Sequence, residues 1–596
     1  MTYTPQLSDL RHALNDIADF GSFLDAGGVE GLDRELVYAV LEEAGKFATS
    51  VLAPINVPGD EYGAKLDTET NEVTTAPGWK DAYAQWCEAG WAALPCESEH
   101  GGQGLPVSVG LAVQELWNTA ANAFGIGTLL TQGAVEAIHA HGSEELQQAY
   151  LPKMVLGEWM GTMNLTEPQA GTDLAALRSK AERANDGAYR ISGTKIFITH
   201  GEHDLTENII HLVLARLPDA PEGTRGISLF LVPKFLPDEN GDPGERNDLK
   251  CIGVEKKLGI HGSPTCTMQY GENGGAVGWL VGQENKGLAC MFTMMNNARL
   301  HVGMQGVSIA ERAYQHALAY AQDRKQGRRP GTDGMVPIIE HPDVRRMLSD
   351  MKAKTAAARA ICFKTAMALD LSRLGADEKT RAENHALGGL LTPVAKAFST
   401  DMGVDVASTG IQVFGGMGFI EETGAAQHLR DARITPIYEG TNGIQAIDLV
   451  TRKLPLGNGD VVFSVISELK DIADEVMLAN DESLGRMGYR LSAAIEEFEE
   501  ATTWMLQTLN DNVDRALSSA TPYLRLFGVT AGGCWLAKGA LAAMRAEDEG
   551  EDVRAFRVQL ARYYAENHMP QARALSSTVR GGAHALDQLT PEALSL

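Results

Sequence analysis

The sequence predicts a mainly α-helical protein with a central β-domain, and three observations predict it. Helical periodicity fills the first part of the chain. Near residue 161 it gives way to short, alternating, β-branched runs, and from Gly287 it returns and persists. With no helix of useful length between them, the β-branched runs are expected to close on one another as an antiparallel barrel or sandwich. The expected organisation is an N-terminal helical domain over 1–160, the β-domain over 161–287, a C-terminal four-helix bundle over 288–455 and an extra C-terminal helical domain over 456–596.

Each element follows from local pattern. Leu36, Val40, Leu41 and Ala44 recur at helical spacing, and Pro54 is expected to stop that helix. Trp79 to Leu94 is a second run, ended by Pro95. Residues 107–121 read as a third, and 134–141 and 144–154 as two more joined at Gly142. The β-domain rests on Tyr189-Arg-Ile-Ser-Gly-Thr-Lys-Ile-Phe-Ile-Thr and on the runs 208–216 and 226–233. A polar, turn-rich loop lies at 236–250. Residues 291–324, 342–369 and 385–410 read as long helices, and Gly415-Gly-Met-Gly forces a break. Beyond Pro455 the pattern continues through 462–478 and 491–509. This order predicts helical layers holding the β-domain at their edge.

Composition narrows the function. The chain has 596 residues, is 44% hydrophobic and carries a formal charge of −27 with pI near 5.0. That balance disfavours nucleic acid or an anionic membrane surface as the main partner. Seven scattered cysteines, odd in number and without C-x-x-C spacing, argue against a disulfide framework or a zinc site and for a reducing compartment. His200, His203, His211, His261 and His301 fit no ligand spacing, so no metal site is expected. The N-terminus lacks a basic region followed by an apolar core, and no stretch approaches the apolar length of a membrane span. The expectation is a soluble, cytoplasmic enzyme.

Chemistry points first to Arg433-Ile-Thr-Pro-Ile-Tyr-Glu-Gly-Thr-Asn-Gly-Ile-Gln. A lone carboxylate, Glu439, sits between an apolar run and a Gly-Thr-Asn-Gly turn that opens a helix. Partial desolvation there raises a carboxyl pKa and suits a general base, although helix capping is the plainer role for such a glutamate. In Met163-Asn-Leu-Thr-Glu-Pro-Gln-Ala-Gly-Thr-Asp, Thr166, Gly171 and Thr172 offer hydroxyl and backbone donors to a cofactor, or ordinary turn chemistry. Phe197 and Thr199 place an aromatic face and a hydroxyl near a strand end, where core packing is the alternative for Phe197. Arg324, with Arg328 and Arg329, closes the long helix and suits either a pyrophosphate or the helix dipole. Gln412-Val-Phe-Gly-Gly-Met-Gly lets backbone approach a ligand, or simply ends a helix.

In order and spacing these fragments resemble the acyl-CoA dehydrogenase family of flavoproteins, over roughly residues 35–455. The most specific pieces are Thr-Glu-Pro-x-Ala-Gly-Thr-Asp, Gly193-Thr-Lys-Ile-Phe-Ile-Thr, Lys257-Leu-Gly-Ile-His-Gly-Ser-Pro-Thr, Gln412-Val-Phe-Gly-Gly-Met-Gly-Phe and Arg430-Asp-Ala-Arg-Ile-x-x-Ile-Tyr-Glu-Gly-Thr-Asn. The extra C-terminal region and Met294-Met-Asn-Asn-Ala-Arg-Leu look most like the long bacterial subgroup that includes dehydrogenases of 3-(methylthio)propanoyl-CoA. The resemblance implies FAD, with Leu165, Thr166, Gly171 and Thr172 lining the flavin and its pyrophosphate and Phe197 and Thr199 at the isoalloxazine. Arg324, Gln412 and Gly416 would reach the ADP half of an FAD held mainly by a neighbouring subunit, which implies a homo-oligomer, most simply a dimer. Thr441 would bind flavin from the loop that carries the base.

The same resemblance implies Glu439 as the catalytic base and Arg299, Tyr438 and Gly440 as substrate contacts. A thioester would lose its α-proton to Glu439 and a β-hydride to the flavin, its carbonyl oxygen held by the Glu439 N–H and a flavin ribityl hydroxyl. The implied partners are an acyl-CoA and an electron-transferring flavoprotein. The implied reaction is 3-(methylthio)propanoyl-CoA to 3-(methylthio)acryloyl-CoA in dimethylsulfoniopropionate demethylation. General medium- or long-chain fatty acyl-CoA dehydrogenation stays open, as does an alkylation-response, DNA-binding flavoprotein of the same superfamily. Acidic residues outnumber basic ones in 461–596, a poor match for a phosphate backbone. Departures from the family pattern are Phe197 where Trp is common, Gly443 where some members have Gln, and Asn296 in place of a common Asp.

Overall fold

The computed structural model describes residues 3–547, 549–586 and 588–596, in two compact units. One comprises Met1–Gly45, Val107–Thr119 and Arg299–Leu596; the other comprises Lys46–Pro106 and Ala120–Ala298.

The second unit is built on strands β1 (Trp159–Asn164), β2 (Lys180–Arg183), β3 (Tyr189–Thr199), β4 (Asn208–Arg216), β5 (Ile227–Pro233), β6 (Leu249–Val254), β7 (Thr265–Tyr270) and β8 (Ala276–Val281). Their order is β6-β7-β3-β8-β5-β4-β1, and β2 pairs with both β3 and β4. The pairing therefore runs round a closed path β3-β8-β5-β4-β2, which decides for a barrel between the barrel and sandwich that the alternating runs allow. It is not wholly antiparallel: β1 pairs with β4 in parallel, Trp159 opposite Asn208. β4 reads as a nearly continuous apolar run because both its faces are buried, one with Phe230 and Val232, the other with Leu151, Met154 and Met291.

Helices frame this barrel in sequence. Helix α1 (Val107–His141) is kinked at Ala121, whose backbone is non-helical, so it falls into two pieces and the first ends where the sequence predicts. The second piece starts earlier than 134: residues 122–133 are rich in Gly and Thr, which lowers propensity, but burial among apolar neighbours keeps them helical and they do not end it. Pro54 does not end a helix either. It sits in the first turn of Ala53–Tyr62, where its missing N–H costs nothing.

In the first unit, the part of α2 (Gly287–Asp323) from Arg299 on, α3 (Pro342–Leu374) and α4 (Glu378–Phe414) lead to a short α5 (Asn442–Asp448). Beyond it come α6 (Asp460–Ala479), α7 (Met487–Asp511), α8 (Ala520–Arg545), α9 (Glu551–Asn567) and α10 (Gln571–Gly581). Three glycines let α2 and α4 touch backbone to backbone. A Cβ would stand 2.7 Å from the Ala395 carbonyl at Gly303, 2.4 Å from that of Ser399 at Gly306 and 2.7 Å from that of Gly306 at Gly403. Gly415, at φ 60°, ends α4 as its run of glycines predicts. Helix α8 is long and apolar enough to cross a membrane, contrary to the expectation that no stretch is. Yet 89% of its most apolar window is buried within the unit, as befits a core helix.

The unit also encloses a cluster of ionised side chains. Arg359 of α3 donates to Glu115 of α1 at 2.7 and 2.9 Å and to Glu311 of α2 at 3.0 Å. Lys352 donates to Asp9 at 2.6 Å and to Glu311 at 3.2 Å. All seven cysteines are free thiols.

Candidate active site

Glu439 lies in the turn between the segment ending at Ile437 and helix α5, with φ 56°. Left-handed backbone at a non-glycine residue is a stored cost that packing must hold in place, and it marks functional turns more often than ordinary ones. Pro436, whose carbonyl accepts from the Asn442 N–H at 3.0 Å, closes the turn beneath it. Gln445 closes it from the other side, donating to the carbonyls of Glu439 at 3.1 Å and Gly440 at 3.3 Å. Gly440 has φ 82°, and a Cβ there would stand 2.7 Å from the Gln445 amide nitrogen. Only glycine fits.

Burial raises the Glu439 carboxyl above the ordinary carboxylate range, while Arg299 and Lys396 pull it back. Arg299 reaches the turn from α2. Its guanidinium lies 3.7 Å from Asp448 and 3.9 Å from where a Gly440 Cβ would stand, and burial lowers its own pKa against Asp448 and Glu439. Lys396, buried in α4, donates to the Gly440 carbonyl at 2.9 Å and to Asn442 Oδ1 at 2.8 Å. Tyr438 is tied by its hydroxyl to Gln305 of α2, and burial raises its pKa. The structure thus brings Glu439, Arg299, Tyr438 and Gly440 together, as the sequence groups them. It adds Lys396, Gln305 and Gln445, which the sequence reading did not single out. The signal for Lys396 was a lone cation inside the apolar run Leu390-Leu-Thr-Pro-Val-Ala-Lys-Ala.

Thr441 caps α5 by backbone geometry alone, and its exposed hydroxyl makes no capping hydrogen bond. Arg324 follows the last turn of α2, exposed; Gln412 and Gly416, also exposed, flank the end of α4. Stacking of Tyr320 on Phe414, centroids 4.1 Å apart, holds these two helix ends together.

In the barrel unit, the loop after β1 lies against β3. Ile196 N–H donates to the Thr166 carbonyl at 2.9 Å, and buried Lys195 donates to the Leu165 carbonyl at 3.0 Å and to Glu167 at 2.8 Å. Burial opposes both charges, drawing Lys195 down to about 8. In Glu167, however, Lys195 and the Arg178 and Ser179 N–H groups outweigh it and hold the carboxyl at about 2. Gly171 and Thr172 are exposed farther along the same loop, past the mutual hydrogen bonds of Glu167 and Ala170.

Ile196 and Phe197 bulge opposite Thr267, because Lys195 pairs with Met268 and Ile198 with Cys266. Phe197 has φ 59° and is 58% exposed. It is therefore not core packing, but a ring turned outward on strained backbone. Thr199 ends the strand, its carbonyl accepting from the Thr162 hydroxyl at 2.6 Å. Ile260, in the Lys-Leu-Gly-Ile-His-Gly segment, is also left-handed at φ 47°, a costly state for a β-branched residue. His200, His203 and His211 are buried and driven toward the neutral form by burial, so they pack as uncharged rings. Among the described residues, Glu99, His100 and His139 do bring metal-type ligand atoms together. Both rings face the Glu99 carboxylate, at 3.2 and 3.3 Å.

Comparison with known proteins follows the same outline. Models of the N-terminal, middle and C-terminal domains of acyl-CoA dehydrogenases match residues 31–158, 162–272 and 285–454, and an acetyl-CoA dehydrogenase C-terminal-like model matches 465–590. The 3-methylmercaptopropionyl-CoA dehydrogenase of Ruegeria pomeroyi is 46% identical over 94% of this chain and 95% of its own. A butyryl-CoA dehydrogenase of Syntrophomonas wolfei is 35% identical over 95% of each. An acyl-CoA dehydrogenase from Bacillus anthracis, solved in complex with FAD, superposes with a TM-score of 0.74 at 21% identity. The match covers 92% of this chain and 88% of that one.

Proposed function

The chain belongs to the acyl-CoA dehydrogenase family, FAD-dependent oxidoreductases that act on the CH–CH bond of acyl-CoA thioesters, and from that premise we propose that it oxidises 3-(methylthio)propanoyl-CoA to 3-(methylthio)acryloyl-CoA. The observation that carries the substrate is the 46% identity, over nearly the whole chain, to an enzyme named for that acyl group. The 35% identity to a butyryl-CoA dehydrogenase supports a short acyl pocket.

The residues of this chain fit the cofactor. Phe197 offers an outward aromatic face on a bulge, Gly171 has no atom within 4 Å of a notional Cβ, and the Thr441 hydroxyl has no capping bond to make. Leu165, Thr166, Gly171, Thr172, Phe197 and Thr199 would hold the flavin. Arg324, Gln412 and Gly416 would reach its ADP half from a neighbouring subunit, and Thr441 would join them from the turn that carries Glu439. Phe419, 87% exposed beside Gly416, supports a second copy covering that helix end. FAD held by these residues would supply the hydride acceptor, with an electron-transferring flavoprotein or a similar protein as the onward acceptor.

Glu439 takes the α-proton. Burial disfavours its charged form, so proton uptake brings it to the state its surroundings prefer. The Glu439 N–H has no acceptor among the described residues, which leaves it to donate to the thioester oxygen as negative charge develops. Arg299, Tyr438 and Gly440 line the substrate side of the same turn. A thioether chain is nearly isosteric with a short alkyl chain, and discrimination amounts to about 1–3 kcal/mol per methylene-sized difference. Anaerobic bleaching of the flavin band by a series of acyl-CoAs tests the proposal. Methylthiopropanoyl-, butanoyl- and pentanoyl-CoA are expected to bleach fastest; equal or faster bleaching by octanoyl- or palmitoyl-CoA overturns the substrate.

A further inference from the structure

The turn that carries Glu439 is held from beneath by a cation with no exposure to solvent. Lys396 lies in α4 between buried Ala395 and Ala397. Its ammonium spans two points of the turn, the Gly440 carbonyl at 2.9 Å and Asn442 Oδ1 at 2.8 Å. The Asn442 amide in turn donates to the Ala397 carbonyl at 3.1 Å, to Thr400 Oγ1 at 3.0 Å and to the Asp401 carboxylate at 2.7 Å. Two carbonyl-type acceptors can be met by any neutral donor, and lysine is among the residues least often buried in full. A full charge belongs there only if it has a charge to face.

The groups around it supply one. Glu439 and Asp401 act on Lys396 as anions, with Arg299 as a nearby cation. Arg299 from α2 and Lys396 from α4 are the cations acting on Glu439, and Arg299 is itself held by Asp448, which Arg452 contacts at 3.0 Å. Asp401 is held by the Asn442 amide that also meets the ammonium. We propose that Lys396 is a positioning residue for the dehydrogenation: an internal cation that fixes the 439–442 turn at Gly440 and Asn442 and turns its charge on the Glu439 carboxylate. The inference rests on Glu439 being the base. Burial draws the lysine's own pKa down to about 7 against the pull of Glu439 and Asp401. Below neutrality it is therefore charged, and a charged Lys396 favours the ionised form of Glu439 against the burial that opposes it. Without that charge the Glu439 pKa climbs further.

The test is the pH dependence of kcat/KM for wild type, Lys396→Met and Lys396→Arg, with FAD content and thermal midpoint measured alongside. The methionine variant is expected to carry its acid limb about 1 pH unit higher, the lower end of the shift a neighbouring cation imposes on a carboxylate. The arginine variant, which keeps the charge, is expected to keep the wild-type limb even where its kcat falls. A methionine variant that has lost activity with its acid limb unmoved has only lost a brace for the turn, and overturns the proposal. If that variant does not hold FAD, an arginine variant whose limb has risen by the same unit overturns it instead. Glu439→Gln separates the two layers. Turnover surviving there refutes the base itself; an inactive glutamine variant beside an unmoved limb in Lys396→Met refutes only the lysine's role.

Discussion

Two groups of buried charge lie within the same unit, and they are built on opposite principles. Around Arg359, burial opposes every charge and the partners win. Arg359 and Lys352 are pushed above their ordinary values, and Asp9 and Glu311 are held below theirs. Around Glu439 burial wins: Glu439 is raised, and Lys396 and Arg299 are lowered. The difference is hydrogen bonding. Arg359 meets two carboxylates at 2.7 to 3.0 Å, whereas the ammonium of Lys396 meets a carbonyl and an amide oxygen and the Glu439 carboxylate has no hydrogen-bond donor among the described residues. A charge whose partners are all in place stabilises a fold. A charge left short of partners has a task still to perform.

The largest expected effect is at the unsatisfied group. With Glu439 as the proposed base, Glu439→Gln should lower turnover by about 10²–10⁴-fold, with FAD and acyl-CoA binding retained. Because burial already disfavours the carboxylate, its thermal midpoint should not fall. A variant that is both inactive and markedly less stable would erase the contrast between the two clusters.

Arg359→Met is the converse. It strands Glu115 and Glu311 in the core and should cost about 3–5 kcal/mol in chemical denaturation, with kcat per bound FAD unchanged. The sign with pH follows from the carboxylates. Asp9 and Glu311 have folded pKa values below their ordinary 3.8 and 4.5, so their stabilisation is complete above those values and is lost as pH falls through the folded ones. Lys352 and Arg359, raised, keep theirs below their ordinary values and lose it only at strongly alkaline pH. Wild-type stability should therefore fall steeply only below about pH 4, and the methionine variant should flatten that fall. Equal stability of the two proteins at neutral pH would show that the cluster is ornamental.

How far this was legible in the sequence follows the same division. The helix–strand–helix order, the β-domain, and Glu439 with its Gly440 turn could be read directly, because periodicity and turn chemistry are local. The helical state of residues 122–133, beyond the kink of α1, could not: burial holds that Gly- and Thr-rich stretch helical, and burial is a property of the whole. Nor could the parallel pairing of β1 with β4, since the two are separated in sequence by two other strands. Lys396 escaped for a related reason. A lysine in an apolar run has meaning only once Gly440 and Asn442 are seen to fold over it. Nothing local marks Arg359 and Lys352 within the helix read at 342–369; only tertiary packing shows their partners on α1, α2 and the N-terminal segment.

The smallest expected effect concerns Phe197, and it extends the contrast to the barrel unit. Its ring is more than half exposed and its backbone is left-handed, so the residue contributes little burial and carries a conformational cost. Glycine adopts φ 59° without that cost. Phe197→Gly should therefore raise the stability of the FAD-free protein by about 1 kcal/mol. The same variant should retain less FAD through gel filtration, because the planar face is gone. Phe197→Trp keeps an aromatic face on the same bulge and should retain FAD as wild type does. If the glycine variant holds FAD as well as wild type, the bulge serves the barrel and not the cofactor. If it lowers the stability of the FAD-free protein, the ring is packing against its own unit after all, and Phe197 belongs with Arg359, among the groups whose interactions are already complete.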